Sequence, residues 1–260
     1  MFQWISRLTS PLLVLLAPIA ALSADDAQTA FQSRVFQSEG KSLPYRIMFP
    51  QGFRRDQKYP LVLFLHGAGE RGNDNSVQLV HGMNDFARPE NREKYPCFVV
   101  APQCPVKKLW ADVDWSTDSH KISEKPSETM QLVLGLLDSL EREFPVDQKR
   151  LYVTGLSMGG YGTWDLVQRF PRRFAAAAPI CGGGDETIAA GIVKVPIWAF
   201  HGDQDTAVKP ERSRRMIEAI TKAGGKPLYT EYKGVGHNSW EPAYRDPKLM
   251  EWLFAQKLAD

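Results

Sequence analysis

The chain of 260 residues contains the run Leu151-Tyr-Val-Thr-Gly-Leu-Ser157-Met-Gly-Gly160, in which a short apolar stretch is followed at once by Gly-x-Ser-x-Gly. Residues 158–170 then have the pattern of a helix that ends near Pro171. A serine in a glycine-rich turn between a strand and a helix is held in a sharp bend, with its hydroxyl exposed above the strand. This context predicts a nucleophilic role for Ser157.

Strand and helix patterns alternate on both sides of this run. We predict strands at residues 35–36, 45–49, 60–66, 97–101, 150–154, 174–180, 195–200 and 228–232, and helices at 127–144, 158–170, 210–223 and 247–257. Such alternation predicts an α/β fold with an eight-stranded, mostly parallel sheet flanked by helices. No linker-like stretch divides the pattern, so we expect one domain over residues 25–260.

Composition and charge exclude several classes of protein. The chain is 43% hydrophobic and 24% charged, which is ordinary for a globular protein and excludes a disordered or collagen-like chain. Its 32 basic and 30 acidic residues leave a net charge of +2, so charge gives no reason to expect nucleic acid as a partner. The oligomeric state stays open at this level.

Residues 1–24 have the pattern of a secretory signal peptide. They combine one basic residue, Arg7, with the apolar run Pro11–Leu22 and the small residues of Ala21-Leu-Ser-Ala24. The run is too short for a bilayer, which needs about 20 helical residues. We therefore expect export to the periplasm or the extracellular space without a membrane span. A membrane anchor or a buried helix is the alternative.

An exported chain could form disulfides, and three cysteines are available: Cys97, Cys104 and Cys181. The first two bracket a predicted strand, which would separate them by about 23 Å. A disulfide needs Cα atoms within about 7 Å. We expect three unpaired, buried thiols. Pairing of Cys181 through loops is the alternative.

Two further turns at predicted strand ends carry groups that a serine nucleophile needs. Asp203 and Asp205 follow the strand at 195–200, and either carboxylate could orient a catalytic histidine while the other serves the turn. His237 lies between glycine and asparagine after the last strand. His66 and His201 end strands in His-Gly pairs, which favours structural turn roles for both.

A fourth turn, His66-Gly-Ala-Gly-Glu-Arg-Gly72, follows the first long buried strand. Its small residues permit the backbone N–H of Ala68 to turn toward the nucleophile as an oxyanion donor. The N–H of Met158, directly after the serine, is the expected second donor. A tight turn with a surface pair of Glu70 and Arg71 is the alternative, and it is compatible with the oxyanion role.

These motifs resemble those of the α/β-hydrolase superfamily across essentially the whole chain after residue 24. The resemblance is carried by Leu65-His-Gly-Ala-Gly-Glu-Arg-Gly72, Val100-Ala-Pro-Gln-Cys104, Gly155-Leu-Ser-Met-Gly-Gly160, His201-Gly-Asp-Gln-Asp-Thr-Ala-Val208 and Gly236-His-Asn-Ser-Trp240. Within the superfamily the chain looks like the secreted carboxylesterase group related to phospholipase/carboxylesterases, polyhydroxyalkanoate depolymerases and feruloyl esterases.

The resemblance implies a serine carboxylic ester hydrolase without a cofactor. The family pattern His-Gly-x-x-Asp-x-x-Val implies Asp205 rather than Asp203 as the acid, which gives the triad Ser157, Asp205 and His237. A serine peptidase of the prolyl-oligopeptidase type and a non-catalytic binding module are the alternatives. The histidines and cysteines show no paired ligand spacing, so no metal site is expected.

The connections favour an open site. Only about 15 residues separate the strand ending near Ile180 from the one starting near Val195, so no lid domain is expected there. The long insertion is residues 105–126, which carries Trp110 and Trp115, and Trp240 lies close to His237 in sequence. These three rings could form an aromatic rim for a sugar or phenolic group, or pack the loops onto the domain. The expected substrates are small-molecule or polysaccharide-linked esters of acetyl or feruloyl type.

Overall fold

The computed structural model describes residues 25–259, so the predicted signal peptide lies outside the described residues. The strands are β1 (Phe31–Ser38), β2 (Lys41–Met48), β3 (Tyr59–Leu65), β4 (Phe98–Pro102), β5 (Val146–Leu156), β6 (Ala176–Ile180), β7 (Trp198–Gly202) and β8 (Leu228–Tyr232). The α-helices are α1 (Asp25–Ala30), α2 (Met83–Ala87), α3 (Pro89–Lys94), α4 (Glu128–Glu143), α5 (Met158–Arg169), α6 (Glu211–Lys222), α7 (Trp240–Arg245) and α8 (Pro247–Ala255).

These eight strands form one sheet in the order β1-β2-β4-β3-β5-β6-β7-β8. The β1–β2 hairpin and the β2–β4 pair are antiparallel, and all pairs from β4 to β8 are parallel. The predicted eight-stranded, mostly parallel sheet is therefore confirmed. Its parallel part brings the carboxyl ends of β3, β5, β6 and β7 to one edge, where ligands bind in open α/β sheets.

Helices cover both faces of the sheet, which explains the continuously apolar strands. Along β3, Leu63 packs into the core on one face while Val62 and Phe64 pack into the core on the other. Apolar residues of α4 and α6 line the first core, and those of α8 line the second. Helix α4 begins as its sequence predicts, because the hydroxyl of Ser127 accepts a hydrogen bond from the N–H of Met130 at 3.0 Å.

Several elements differ from the prediction. Strand β1 is longer than predicted, and strand β5 begins at Val146, because this end pairs with Tyr59 of β3 even though the residues between are polar. The short helices α1, α2, α3 and α7 were not predicted. Each has six residues or fewer, too few to display a helical apolar period.

The connections above the sheet are short or firmly attached. Residues 181–197 between β6 and β7 form turns and the 3-10 helix Glu186–Ile192, too small for a separate lid domain. The insertion is tied to its surroundings by the ion pair of Asp118 with Lys209 at 2.6 Å and by the hydrogen bond from Ile122 to the Asp185 carboxylate at 3.1 Å. Among residues 25–259, no helix combines the length and apolarity that a membrane span requires.

The three cysteines are all buried and unpaired, as the sequence predicts. Burial raises the pKa of the Cys97 and Cys104 thiols to about 12, and it also raises that of Cys181. These thiols therefore stay protonated at neutral pH.

Candidate active site

Ser157 occupies the sharp turn between β5 and α5. Its φ of 54° and ψ of −117° lie outside the regions that non-glycine residues normally adopt. The turn also requires small neighbours: a Cβ atom at Gly159 would lie 1.8 Å from the carbonyl oxygen of Leu65, and one at Gly160 would lie 2.3 Å from that of Ile180. The Gly-x-Ser-x-Gly sequence is thus what lets the strand, the turn and the helix pack this closely.

Three predicted site residues come together above this turn. The Ser157 hydroxyl lies 2.9 Å from Nε2 of His237, and Nδ1 of that ring lies 2.7 Å from Oδ2 of Asp205. Because an ionised carboxylate only accepts, Nδ1 carries the ring proton and Nε2 is free to accept the serine proton. Asp203 instead accepts a hydrogen bond from the N–H of Gly234 at 2.6 Å, which secures the turn before His237.

The carboxylate of Asp205 is fully enclosed and held from several directions. Its Oδ1 accepts hydrogen bonds from the N–H groups of Ala207 and Val208, each at 2.9 Å. Burial alone would raise the pKa of Asp205, but hydrogen bonds from His201, His237 and the Val208 amide hold it well below its ordinary value. Asp205 therefore remains ionised and can stabilise a positive charge on His237.

The two residues expected to be oxyanion donors, Ala68 and Met158, belong to segments that border Ser157. Met158 is the first residue of α5, and the first amides of a helix lack intrahelical partners; here the first intrahelical bond runs from Tyr161 to Ser157. The other donor belongs to a 3-10 helix that starts at Ala68. This segment runs close to the serine, since a Cβ atom at Gly67 would lie 3.7 Å from that of Ser157.

His66 orients the peptide that carries the Ala68 N–H. Its Nε2 accepts a hydrogen bond from the N–H of Cys104 at 2.9 Å, so Nδ1 carries the proton and donates to the Gly67 carbonyl oxygen at 2.6 Å. Burial lowers the pKa of His66 to about 4, which keeps the ring neutral. In a trans peptide the carbonyl and the following N–H point in opposite directions, so this bond also sets the direction of the Ala68 N–H. The sequence His66-Gly67 by itself did not predict these contacts of the His66 ring.

Trp110 does not belong to an exposed rim, and that expectation is wrong. The residue is fully buried, its Nε1 donates to the carbonyl oxygen of His66 at 2.9 Å, and its ring lies edge-on to the His66 ring. A Cβ atom at Gly162 would lie 2.7 Å from Cβ of Trp110, so α5 packs directly against it. Trp110 therefore helps to hold the turn that begins at His66.

The other two tryptophans are partly exposed. Trp240 lies edge-on to His237, with ring centroids 5.3 Å apart, and it also contacts His81. Trp115 packs toward Tyr161 of α5, with ring centroids 6.4 Å apart. Both stay candidates for a substrate rim.

A buried cation also lies on the Trp115 side. Arg212 of α6 is almost fully buried, faces the ring of Tyr161 at 5.6 Å and is hydrogen-bonded to His120 of the insertion. Burial, followed by the charge of Arg212, lowers the pKa of His120 to about 4. These contacts hold the insertion against α5 and α6.

The sequence profile of the dienelactone hydrolase family matches residues 108–247, more than half of the chain. The chain belongs to this family. The matched range includes Ser157, Asp205 and His237, which the two hydrogen bonds described above join in a row.

Several proteins that are similar to this chain are esterases. The chain is 33% identical over 159 residues to a bifunctional acetylxylan esterase/xylanase of Neocallimastix patriciarum, covering 61% of this chain and 21% of that protein. It is 25% identical over 215 residues to feruloyl esterase B of Piromyces equi, covering 77% and 37%. A solved thermostable esterase matches with 41% identity and a TM-score of 0.81, covering 88% of this chain and 64% of the other.

The chain thus spans less than two thirds of each of these three proteins. The family and the named relatives support a carboxylic ester hydrolase as the class of enzyme.

Within residues 25–259, three side chains of the types that can bind a metal ion lie close together. The ligand atoms of Cys181, Asp205 and His237 lie within 4.8 Å of one another. Two of them are joined by the Asp205–His237 hydrogen bond, and the sulfur of Cys181 accepts the N–H of Ser157 at 3.3 Å. Their proximity is thus accounted for by the packing of the triad.

Proposed function

We propose that the protein is an exported serine esterase that cleaves short-acyl or aromatic esters, of acetyl or feruloyl type, through an acyl-enzyme. The observation that carries the proposal is the unbroken chain of hydrogen bonds from Ser157 through His237 to Asp205, at 2.9 and 2.7 Å. Such an arrangement activates a hydroxyl for attack on a carbonyl carbon.

In the proposed reaction, Nε2 of His237 takes the proton of Ser157 as its Oγ attacks the ester carbonyl carbon. The N–H groups of Ala68 and Met158 stabilise the negative charge that develops on the carbonyl oxygen. His237 then gives its proton to the departing alcohol, which leaves an acyl group on the serine. Water, deprotonated by the same histidine, then attacks the acyl carbon; the bond between this carbon and Oγ breaks, His237 returns the proton to Ser157, and the carboxylic acid is released.

The preference for small acyl groups is inferred from the expected openness of the site. The β6–β7 connection is too small for a lid, and the insertion is tied down by Asp118 and His120. At an open site, a longer acyl chain gains little of the roughly 0.8 kcal/mol per buried CH₂ that a lipase would obtain. Trp240 beside His237 and Trp115 beside Tyr161 are the rings that could contact a flat aromatic acyl group or a sugar.

Export rests on the signal-peptide pattern of residues 1–24. We propose a periplasmic or extracellular location, with residues 25–260 as the catalytic domain. Mass determination of the protein recovered from the culture medium or periplasm tests this, since cleavage near Ala24 would remove the leader. Recovery of the uncleaved chain from the cytoplasm would contradict it.

The substrate class is tested by kcat/KM against p-nitrophenyl esters with acyl chains of two to sixteen carbons, and against feruloyl and acetyl sugar esters. The Ser157→Ala variant serves as the control for background hydrolysis. We expect the highest kcat/KM for acyl chains of about two to four carbons or for feruloyl groups, and no jump in rate when the substrate is emulsified. A rise in kcat/KM beyond about eight carbons would contradict the open site and indicate a lipase.

A further inference from the structure

A second histidine, His201, contacts the acid of the triad. It lies at the end of β7 and is completely buried. Its Nε2 is 3.2 Å from Oδ2 of Asp205 and 2.9 Å from the carbonyl oxygen of Val208. Because a carbonyl and an ionised carboxylate only accept hydrogen bonds, Nε2 must carry a proton that it shares between them.

This contact completes the hydrogen bonding of Asp205. Its Oδ1 is occupied by two turn amides, and Oδ2 receives Nδ1 of His237 at 2.7 Å and Nε2 of His201 at 3.2 Å. A carboxylate offers about four lone-pair positions, and these four groups face it. The Oδ2 oxygen is thus held between two imidazole rings, and its position relative to His237 depends on His201.

The other ring nitrogen holds His201 against α6. Its Nδ1 lies 2.7 Å from the hydroxyl of Ser213, and that hydroxyl donates a hydrogen bond to the carbonyl oxygen of Gly182 at 3.1 Å. The ring is therefore fixed at both of its nitrogens.

We propose that His201 is a positioning residue of the esterase: its ring, fixed by Ser213 at one nitrogen and by Val208 at the other, holds the Asp205 carboxylate in line with His237. The inference rests on the proposed function, since it concerns the same triad. His201 itself touches no reacting atom, and its effect reaches the ester only through Asp205.

Two matched substitutions separate this role from a purely structural one. In His201→Gln the amide nitrogen takes approximately the place of Nε2, so the donor to Asp205 is kept and the contact with Ser213 is lost. In His201→Asn the amide nitrogen takes approximately the place of Nδ1, so the opposite contact is kept. Both variants are neutral and polar. The measurements are kcat and KM on p-nitrophenyl acetate and the melting temperature of each protein.

We expect His201→Asn to lower kcat about ten- to hundredfold, the range for loss of one hydrogen bond to a charged group, with KM within about twofold of wild type. His201→Gln should recover most of that kcat although both variants melt at similar temperatures. The proposal is overturned if His201→Asn keeps kcat within about threefold of wild type, or if both variants lose kcat equally in step with their melting temperatures.

A third variant keeps the proposal testable if His201→Asn does not fold. Ser213→Ala removes the hydroxyl that holds Nδ1 of His201, and we expect a several-fold loss of kcat with KM retained; an unchanged kcat would overturn the proposal. Failure of the function is distinguishable, because it appears in the wild type: a protein that hydrolyses no ester and is not labelled by a fluorophosphonate refutes the esterase, whereas the His201 comparison presupposes an active wild type.

Discussion

The stability of this protein should fall as the pH is lowered from 6.5 to 4, and His66 should account for a defined part of the loss. Burial lowers the pKa of His66 to about 4 in the folded chain, against an ordinary value of 6.5 in the unfolded chain. Between these values the unfolded state binds a proton that the folded state does not. The free energy of unfolding therefore decreases as the pH falls through this window, and the contribution is intact above pH 6.5.

The gap between the two pKa values corresponds to about 3 kcal/mol, which is lost in full below pH 4. The ring is 1% exposed, so little of this is screened by solvent. His66→Asn provides the comparison, because an asparagine amide can still donate to the Gly67 carbonyl but does not titrate. We expect the variant to be less stable at pH 7, since it loses the acceptor for the Cys104 N–H and part of the contact with Trp110.

Urea unfolding at pH 7, 6, 5 and 4 tests this. The wild type should lose about 3 kcal/mol more than His66→Asn over this range, since all other titrating groups are common to both proteins. Parallel curves for the two proteins, within about 0.5 kcal/mol, would refute the neutral, buried His66 and with it the tautomer that orients the Ala68 N–H.

Three further outcomes are expected. Asp205→Asn should lower kcat on p-nitrophenyl acetate by roughly 10³–10⁴, whereas Asp203→Asn should cost at most about 1 kcal/mol of turn stability and little kcat; the reverse order would show that the acid is misassigned. Gly159→Ala should prevent stable folding, because its Cβ would lie 1.8 Å from a carbonyl oxygen, while Gly191→Ala, whose Cβ meets no atom within 4 Å, should melt like the wild type. Trp110→Phe should lower stability by about 1–3 kcal/mol through an unpaired carbonyl and leave KM unchanged, and a raised KM would return the residue to the substrate rim.

Much of the fold was predictable because long-range packing and local pattern agree in the buried strands. Residues 60–66 are apolar without interruption, and β3 is indeed covered on both faces. Strand β1 was predicted only at residues 35–36, because most of Phe31–Ser38 faces solvent or is half-buried and its strand state comes from pairing with β2. Pairing of this kind leaves no apolar period in the sequence.

The triad residues could be proposed from their motifs, but the residues that support them could not. Whether a tryptophan in an insertion faces solvent or the core depends on where the insertion folds, and Trp110 turns inward beneath His66. His66 and His201 both stand in His-Gly pairs after strands, and both were interpreted as turn residues. Their roles arise from which donors and acceptors the neighbouring loops bring to each ring nitrogen, which local sequence does not encode.

The central claim is that Ser157 forms a covalent acyl-enzyme, and rapid mixing of the enzyme with p-nitrophenyl acetate tests it most directly. With acid quenching and mass spectrometry of the proteolytic peptides, we expect the peptide containing Ser157 to carry an added acetyl group within the first turnover, and Ser157→Ala to show neither the adduct nor turnover. Ester hydrolysis by Ser157→Ala at the wild-type rate, or an acetyl group on a different residue in a catalytically competent wild type, would contradict the account.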